Sequence, residues 1–390
     1  MAMGFPHHRF ASIQVVGTNG KSSTALMIAA LLEAHGVRTG AYLSPHVSDW
    51  SQRIRVGGEP IVRERLDAAV EATAAAIEAS EPALEGERVT QFEAATLAAF
   101  QAFATARVEV GVLEAGLGGR LDATNVVTSR MTVLTSIGLD HTDWLGETPS
   151  EIAAEKLAAL DPHTTLVIGL LDPEIEALAE RTAAERHAEL IRAPGEPTPD
   201  LPPGAPAFQR RNFALALATV EGFLGRLDPG AAERIAATTR IPGRAELIDG
   251  DPPLILDAAH NPDGARALAD ALPELVGGRP VVGCVAVLES KDAAGILRGL
   301  APACERFVLT EVSPEALAGA GGPQSGSRPA AELERLCAEA GIGPVETVQD
   351  ASRAVERASE LATDLGGVAL VAGSHYLLRQ LWIARHAPSS

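Results

Sequence analysis

One stretch near the start of the chain restricts its architecture more than any other. Residues 12–16 form a short, mostly apolar run, Gly17-Thr18-Asn19-Gly20 follow, and an alanine- and leucine-rich segment runs from Lys21 to residue 34. That order predicts a buried strand, a tight glycine loop and a helix. The first amides of such a helix have no acceptor within it and sit at the positive end of its dipole, so the loop is a ready anion site. Lys21 is placed to reach terminal phosphates, and Ser22 or Ser23 to meet a magnesium ion. The spacing departs from the usual Walker pattern, because Val15 stands five places before Gly20 where a glycine is expected.

Lysine usage sharpens the point. The chain has three lysines, Lys21, Lys156 and Lys291, among 32 basic residues, so arginine serves wherever a generic cation suffices. A lysine that remains is a candidate for work a guanidinium cannot do: a compact charge on phosphate, or an amine able to lose its proton. The formal charge of −19 argues against nucleic acid as the main partner and for a local cation and metal cluster around any nucleotide. Cys284, Cys304 and Cys337 are odd in number and lack metal-ligand spacing, so they read as small core residues. No run is long and apolar enough to span a bilayer and no secretory signal pattern opens the chain, from which a cytoplasmic monomer is expected.

Further on, strand-like runs alternate with helical ones in the βα rhythm of a parallel sheet. Candidate strands cover residues 108–113, 131–136, 165–170, 254–256, 280–288, 307–310 and 367–372. The expected fold is α/β: a P-loop-type parallel-sheet ATPase domain over residues 1–240, then a smaller Rossmann-like α/β domain over residues 242–390. The proline-dense residues 193–207 read as an exposed loop rather than the domain joint. Ligands bind beyond the carboxyl ends of parallel strands, so Glu114, closing the run 108–113, is placed for magnesium. The following strand delivers Asp140-His141-Thr142-Asp143 at the same edge, and Lys156 lies near the end of a helical stretch over residues 149–159.

These motifs, in this order, resemble the folylpolyglutamate synthase and dihydrofolate synthase family of the Mur ligase superfamily. The resemblance is carried by GTNGKSS, Ser44-Pro45-His46, TQFEAAT from Thr90, EAGLGGRLDATN from Glu114, SIGLDHTDWLG with AAEK ending at Lys156, Arg211-Asn212, Pro242-Gly243-Arg244, DAAHNP from Asp257, and Gly373-Ser374. It implies an ATP- and Mg2+-dependent ligase that activates a carboxylate as an acyl phosphate and joins it to L-glutamate, with a folate or dihydropteroate as acceptor. By motif, Lys21 and the Gly17–Gly20 amides would hold the phosphates, and Ser44, Glu114 and His141 the magnesium. Lys156 would be the superfamily's carbamylated lysine. Asn212 and Asp257 would contact the nucleoside, Arg244 the terminal phosphate, and His260 would lie by the nucleotide. Lys291 and Ser374 would receive the incoming glutamate.

The chain also departs from the family pattern. Ser22 replaces a glycine, Ala258 the glycine of DGAHN, and Ile241 a tryptophan; Gln52 opens an ERI-like segment and His375 stands where an apolar residue is typical. Relatives carry an extra helical segment before the phosphate loop, whereas eleven residues precede the first strand here. Two other readings stay open on sequence: a Mur-type amino-acid ligase with a non-folate acceptor, and a non-catalytic nucleotide-binding module.

Overall fold

A parallel strand covered on both faces is buried along its length, and β1 (Ala11–Val16) buries all but its first residue, the polar Ser12 and Gln14 included. A computed structural model describes residues 3–46, 49–197, 199–202, 204–317 and 326–386. The chain separates into two compact units, one of Met1–Pro202 with Phe208–Thr239 and one of Pro203–Ala207 with Arg240–Ser390.

In the first unit the sheet comprises β1, β2 (Thr39–Tyr42), β3 (Ile54–Val56), β4 (Glu59–Pro60), β5 (Val110–Glu114), β6 (Met131–Leu134), β7 (Thr165–Ile168) and β8 (Glu189–Arg192). Its order is β4-β3-β2-β5-β1-β6-β7-β8. From β2 to β8 the strands run parallel, while β3 and β4 add an antiparallel edge. The register makes the central carboxyl ends level: Val15 faces Glu114, Val16 faces Leu134, and Tyr42 faces Leu113. Chain segments leaving β2, β5, β1 and β6 therefore emerge side by side.

The helix Lys21–Ala34 follows the glycine loop as expected. Leu157 and Leu160 pack with Val16, Leu134 and Ile168, which anchors the end of the helix Pro149–Leu157 under the sheet edge. On the other side Phe10, Tyr42, Phe100, Phe103 and Leu113 form a second apolar cluster.

The second unit carries β9 (Glu246–Ile248), β10 (Leu254–Leu256), β11 (Val281–Val285), β12 (Arg306–Leu309), β13 (Val345–Thr347) and β14 (Val368–Ala372) in the order β13-β12-β11-β14-β10-β9. Only β9 runs antiparallel to its neighbour among these pairs. Loops leaving β10, β14 and β11 lie along one edge. The three cysteines are unbridged. Burial pushes the Cys284 and Cys304 thiols up to about 12.

Both units are the parallel-sheet α/β folds expected, with antiparallel strands added only at β3, β4 and β9. The proline-dense stretch read as a loop gives way to a helix at Ala207, which runs to Leu224 and carries Asn212. Among the described residues, no helix is long and apolar enough to cross a membrane.

Candidate active site

The phosphate loop is held by the strand beside it. Gly17 has φ 148°, and a β-carbon there would sit 1.9 Å from the Thr135 hydroxyl. Gly20, at φ 83°, would collide with the Asn212 side chain at 2.5 Å. Both positions therefore require glycine for space as well as backbone angle. Beyond β6, Ser136 accepts the Thr18 amide through its carbonyl (2.7 Å) and the Asn19 amide through its hydroxyl (3.0 Å). The Thr135 hydroxyl donates to Asn19 O at 2.7 Å, and the Thr18 hydroxyl meets both Gly138 O and Gly138 N at 3.1 Å. With those two amides engaged, the anion-binding capacity concentrates at the first turn of the helix. Lys21 arches back over the loop, its ammonium donating to Gly17 O and Thr18 O at 3.1 Å.

Glu114 closes β5 and is 2% exposed. Its Oε1 accepts from the Ser22 hydroxyl at 2.9 Å and its Oε2 from the Ser44 amide at 2.9 Å. Of the two serines at the helix start, Ser22 bonds Glu114, while Ser23 is buried and its hydroxyl faces Gln209 at 3.4 Å. A carboxylate and a hydroxyl, converging beside the phosphate loop, form the hard oxygen pair that suits magnesium, so the residues fit that ion. His141 follows the end of β6 in the neighbouring loop. It is held at φ 52°, its amide donates to Asp140 Oδ1 at 3.0 Å, and its side chain is 37% exposed. Among the described residues no three His, Cys, Asp or Glu side chains converge as a metal cage.

Lys156 lies on the helix Pro149–Leu157 beside Glu151 and Glu155, yet it is not on a solvated face. It is 5% exposed. Glu155 pairs with Arg120 at 3.1 Å, and Glu151 is spent on the capping box with Thr148 at the start of the same helix. Burial brings the Lys156 ammonium down to about 7, and Lys21 pushes it the same way, against the pull of Asp140, Asp122 and Glu155. The two lysines of the first unit thus act on one another electrostatically.

The glycine-rich loop after Glu114 has its own internal frame. Asp122 Oδ2 accepts the Leu117 amide (2.8 Å), while Oδ1 takes the Thr124 amide (3.0 Å) and hydroxyl (2.6 Å). Gln14, buried within β1, donates to the Thr124 hydroxyl at 3.0 Å. Phe92 lies against Gly116, and its ring is 5.9 Å from that of Tyr42. Sequence reading placed Asp140 at the sheet edge and quoted Asp122 within its glycine-rich motif without giving it a duty, and it missed Thr135, Ser136, Gln14 and Gln209 as site-building residues. Only the two at the end of the β6 run, Thr135 and Ser136, carried a usable positional signal.

In the second unit, Arg244, Asp257, His260, Lys291 and Ser374 all sit on loops. Asp257 is buried and uses both oxygens on the backbone, accepting Ala245 N and Ala259 N at 2.7 Å each. Desolvation raises its carboxyl above the usual range, opposed by Arg244 and those two amides. Replacing Asp257 with Ala leaves two buried amides unpaired, a loss of about 1–3 kcal/mol for each. A clear fall in melting temperature is expected for Asp257→Ala, and an unchanged melting curve would show that the staple carries no weight. Arg244 donates to Gly243 O at 3.0 Å. Ser374 caps the C-terminal helix by accepting the Tyr376 amide at 3.2 Å. Lys291 lies just before Asp292, which caps the next helix through Gly295 N at 2.8 Å.

Comparisons with known proteins cover both units. Residues 15–194 match the family model of the Mur ligase middle domain, and residues 243–375 that of the Mur ligase glutamate ligase domain. Dihydrofolate synthase/folylpolyglutamate synthase of Mycobacterium tuberculosis is 34% identical, the match covering 96% of this chain and 83% of that protein. The structure of Mycobacterium tuberculosis folylpolyglutamate synthase complexed with ADP and AMPPCP superposes with a TM-score of 0.88 at 31% identity, covering 100% of this chain and 94% of the other. A bifunctional folylpolyglutamate synthase/dihydrofolate synthase with Mn, AMPPNP and L-glutamate bound gives 0.80 at 30% identity, covering 96% and 89%. A phosphate loop on β1, a metal-competent carboxylate on β5 and these matches along both units lead to one statement: the chain belongs to the folylpolyglutamate synthase/dihydrofolate synthase family of Mur ligases.

Proposed function

We propose that this protein is an ATP-dependent ligase that joins L-glutamate to the carboxylate of a folate-type acceptor, a tetrahydrofolate polyglutamate chain, dihydropteroate or both. The observation that carries the reading is the Ser22–Glu114–Ser44 arrangement beside Lys21, which gathers oxygen ligands next to a phosphate site. An acceptor carboxylate oxygen attacks the γ-phosphorus of ATP, ADP leaves, and a mixed acyl phosphate forms. The amine of glutamate, having lost its extra proton, then attacks the acyl carbon and inorganic phosphate departs, leaving the amide. Ser44, Glu114 and His141, with the Ser22 hydroxyl beside Glu114, would hold a magnesium ion, which would supply positive charge against the approaching anions. Lys21 and the first-turn amides hold the phosphates where that charge develops.

Lys156 is read as the carbamylated lysine. Carbamate formation needs a free amine, whose nitrogen bonds to the carbon of carbon dioxide and loses a proton. A lysine brought to about 7 supplies that amine at neutral pH. The change also turns its repulsion with Lys21 into attraction.

Asn212, packed against Gly20, and Asp257 are read as nucleoside contacts, with His260 beside the nucleotide. Lys291 and Ser374 are assigned to the incoming glutamate. Arg244 is assigned to the terminal phosphate, for which a planar fork is not replaceable by an ammonium. Arg244→Lys is expected to lower kcat by about tenfold or more while ATP affinity changes less; equal losses in both would remove Arg244 from the transition state.

The test of the function itself is phosphate release from ATP with glutamate and, separately, dihydropteroate, tetrahydrofolate and cell-wall precursors. Release with either pterin-bearing acceptor supports the reading. Release confined to a cell-wall precursor would favour a non-folate Mur-type ligase, and no release with any acceptor would favour a binding module.

A further inference from the structure

A polar side chain sits deep in the central strand of the first sheet. Gln14 lies midway along β1, between Leu113 of β5 and Thr132 of β6, and is 0% exposed. Its Oε1 has no partner among the described residues, whereas its Nε2 donates to the Thr124 hydroxyl at 3.0 Å. A methionine would keep the length of this side chain and remove the cost of burying an amide. The contact that methionine could not make is the bond to Thr124.

That bond begins a directed chain. Thr124 Oγ1 lies 2.6 Å from Asp122 Oδ1, a carboxylate oxygen that accepts, so the single hydroxyl hydrogen goes to Asp122 and the Gln14 N–H supplies the other bond to Thr124. Asp122 also accepts the Thr124 amide and, on its second oxygen, the Leu117 amide, which ties the two ends of residues 117–122 together. The far side of this loop rests on the helix Pro149–Leu157. A β-carbon on Gly119 would sit 2.6 Å from Lys156 O and 3.1 Å from Lys156 Cα, and the amide and guanidinium of Arg120 both hold Glu155, at 3.3 and 3.1 Å. Asp122 is also close enough to Lys156 to act on its charge.

We infer that Gln14 is a positioning residue for Lys156: through Thr124 and Asp122 it latches the glycine-rich loop onto the helix that carries Lys156, and the loop so held keeps water from that amine. The consequence for turnover rests on the reading of Lys156 as the carbamylated lysine. The latch itself does not.

Three variants test it: Gln14→Met, Thr124→Val, and Thr124→Ser, which keeps the hydroxyl. Amide hydrogen exchange over residues 117–124 is measured beside the melting temperature. In bicarbonate-free buffer the lysine ε-carbons are followed by carbon-13 labelling; three lysines give three signals, and the one lost in Lys156→Met is the one to watch. Gln14→Met and Thr124→Val are expected to speed exchange of the Leu117 and Thr124 amides by about twofold to tenfold, the span that one net hydrogen bond allows, and to shift the Lys156 signal. Gln14→Met should melt no lower than wild type, and Thr124→Ser should match wild type in every readout. With labelled bicarbonate added, the carbamate signal and kcat should fall together in Gln14→Met and Thr124→Val while the KM for ATP holds. An unmoved Lys156 signal or unchanged loop exchange in Gln14→Met overturns the latch, as does Thr124→Ser behaving like Thr124→Val. A lower melting temperature with faster exchange across the whole sheet overturns it equally, as a purely structural effect. A wild-type enzyme that turns over with no carbamate signal would refute the carbamate reading instead, and the bicarbonate-free spectra and loop exchange would still decide the latch.

Discussion

Glu114→Gln should fold, melt near the wild-type temperature and lose ligase activity by about a hundredfold or more, with the magnesium requirement pushed to higher concentration. The carboxylate is the pivot of the site: one oxygen takes the Ser22 hydroxyl and the other the Ser44 amide. An amide of the same shape retains one acceptor, so the Ser44 amide or the Ser22 hydroxyl keeps a partner and the loss to the fold is about 1 kcal/mol, while the charge that attracts the cation is gone. His141→Ala should have the smaller effect of the two, since that ring is 37% exposed while Glu114 is buried. Activity titrated against magnesium, with a melting curve alongside, separates the outcomes. Glu114→Gln protein with a normal rate and an unchanged magnesium curve would reduce Glu114 to a loop-binding residue.

How much of this could be read from the sequence depended on whether a residue's neighbours lay along the chain or across the sheet. The glycine loop, Lys21 and Glu114 were legible because each closes an apolar run, and parallel strands deliver such ends to a common edge. The level register of β2, β5, β1 and β6 supplies the part that spacing alone does not, and brings Ser44 to Glu114. Choosing Ser22 over Ser23 required knowing which helix face looks at β5. The Gln14–Thr124–Asp122 frame was illegible because its members are 110 residues apart or hidden inside a glycine-rich motif. In the second unit the motifs were visible but the duties of their atoms were not: Asp257 staples two amides and Ser374 caps a helix. Strands β2, β3, β4, β8, β9 and β13 escaped notice for a simpler reason. The edge strands β4, β8, β9 and β13 are short and partly exposed, and β2 and β3 span only four and three residues, so none shows the long apolar run that marks a central strand.

Lys156→Arg should fold and bind ATP yet be almost inactive. A guanidinium keeps its proton at any accessible pH, so it can neither form the carbamate nor lose its repulsion with Lys21. On a solvated helix face the exchange would be close to silent, because an exposed ion pair is worth under about 1 kcal/mol and arginine makes it as well as lysine. Burial removes that explanation, since Lys156 is 5% exposed and both neighbouring glutamates are engaged elsewhere. The pH dependence follows from the sign of the shift. The folded amine titrates near 7 and the unfolded one at its ordinary 10.5, so between those values the unfolded chain binds more protons and the contribution of Lys156 to stability rises with pH. Below about 7 both states are charged and the full cost of burying the ammonium is present. Lys156→Met removes the titration: it should melt higher than uncarbamylated wild type near pH 6.5, show a flatter rise toward pH 10, and be inactive at both. Adding bicarbonate should stimulate wild-type turnover after dialysis against carbon-dioxide-free buffer and leave the Arg and Met variants unchanged. A Lys156→Arg protein with a near-normal ligase rate, or an intact-mass and crystallographic result showing a bare amine in fully active enzyme, would remove the carbamate and leave Lys156 as a buried cation beside the phosphate loop.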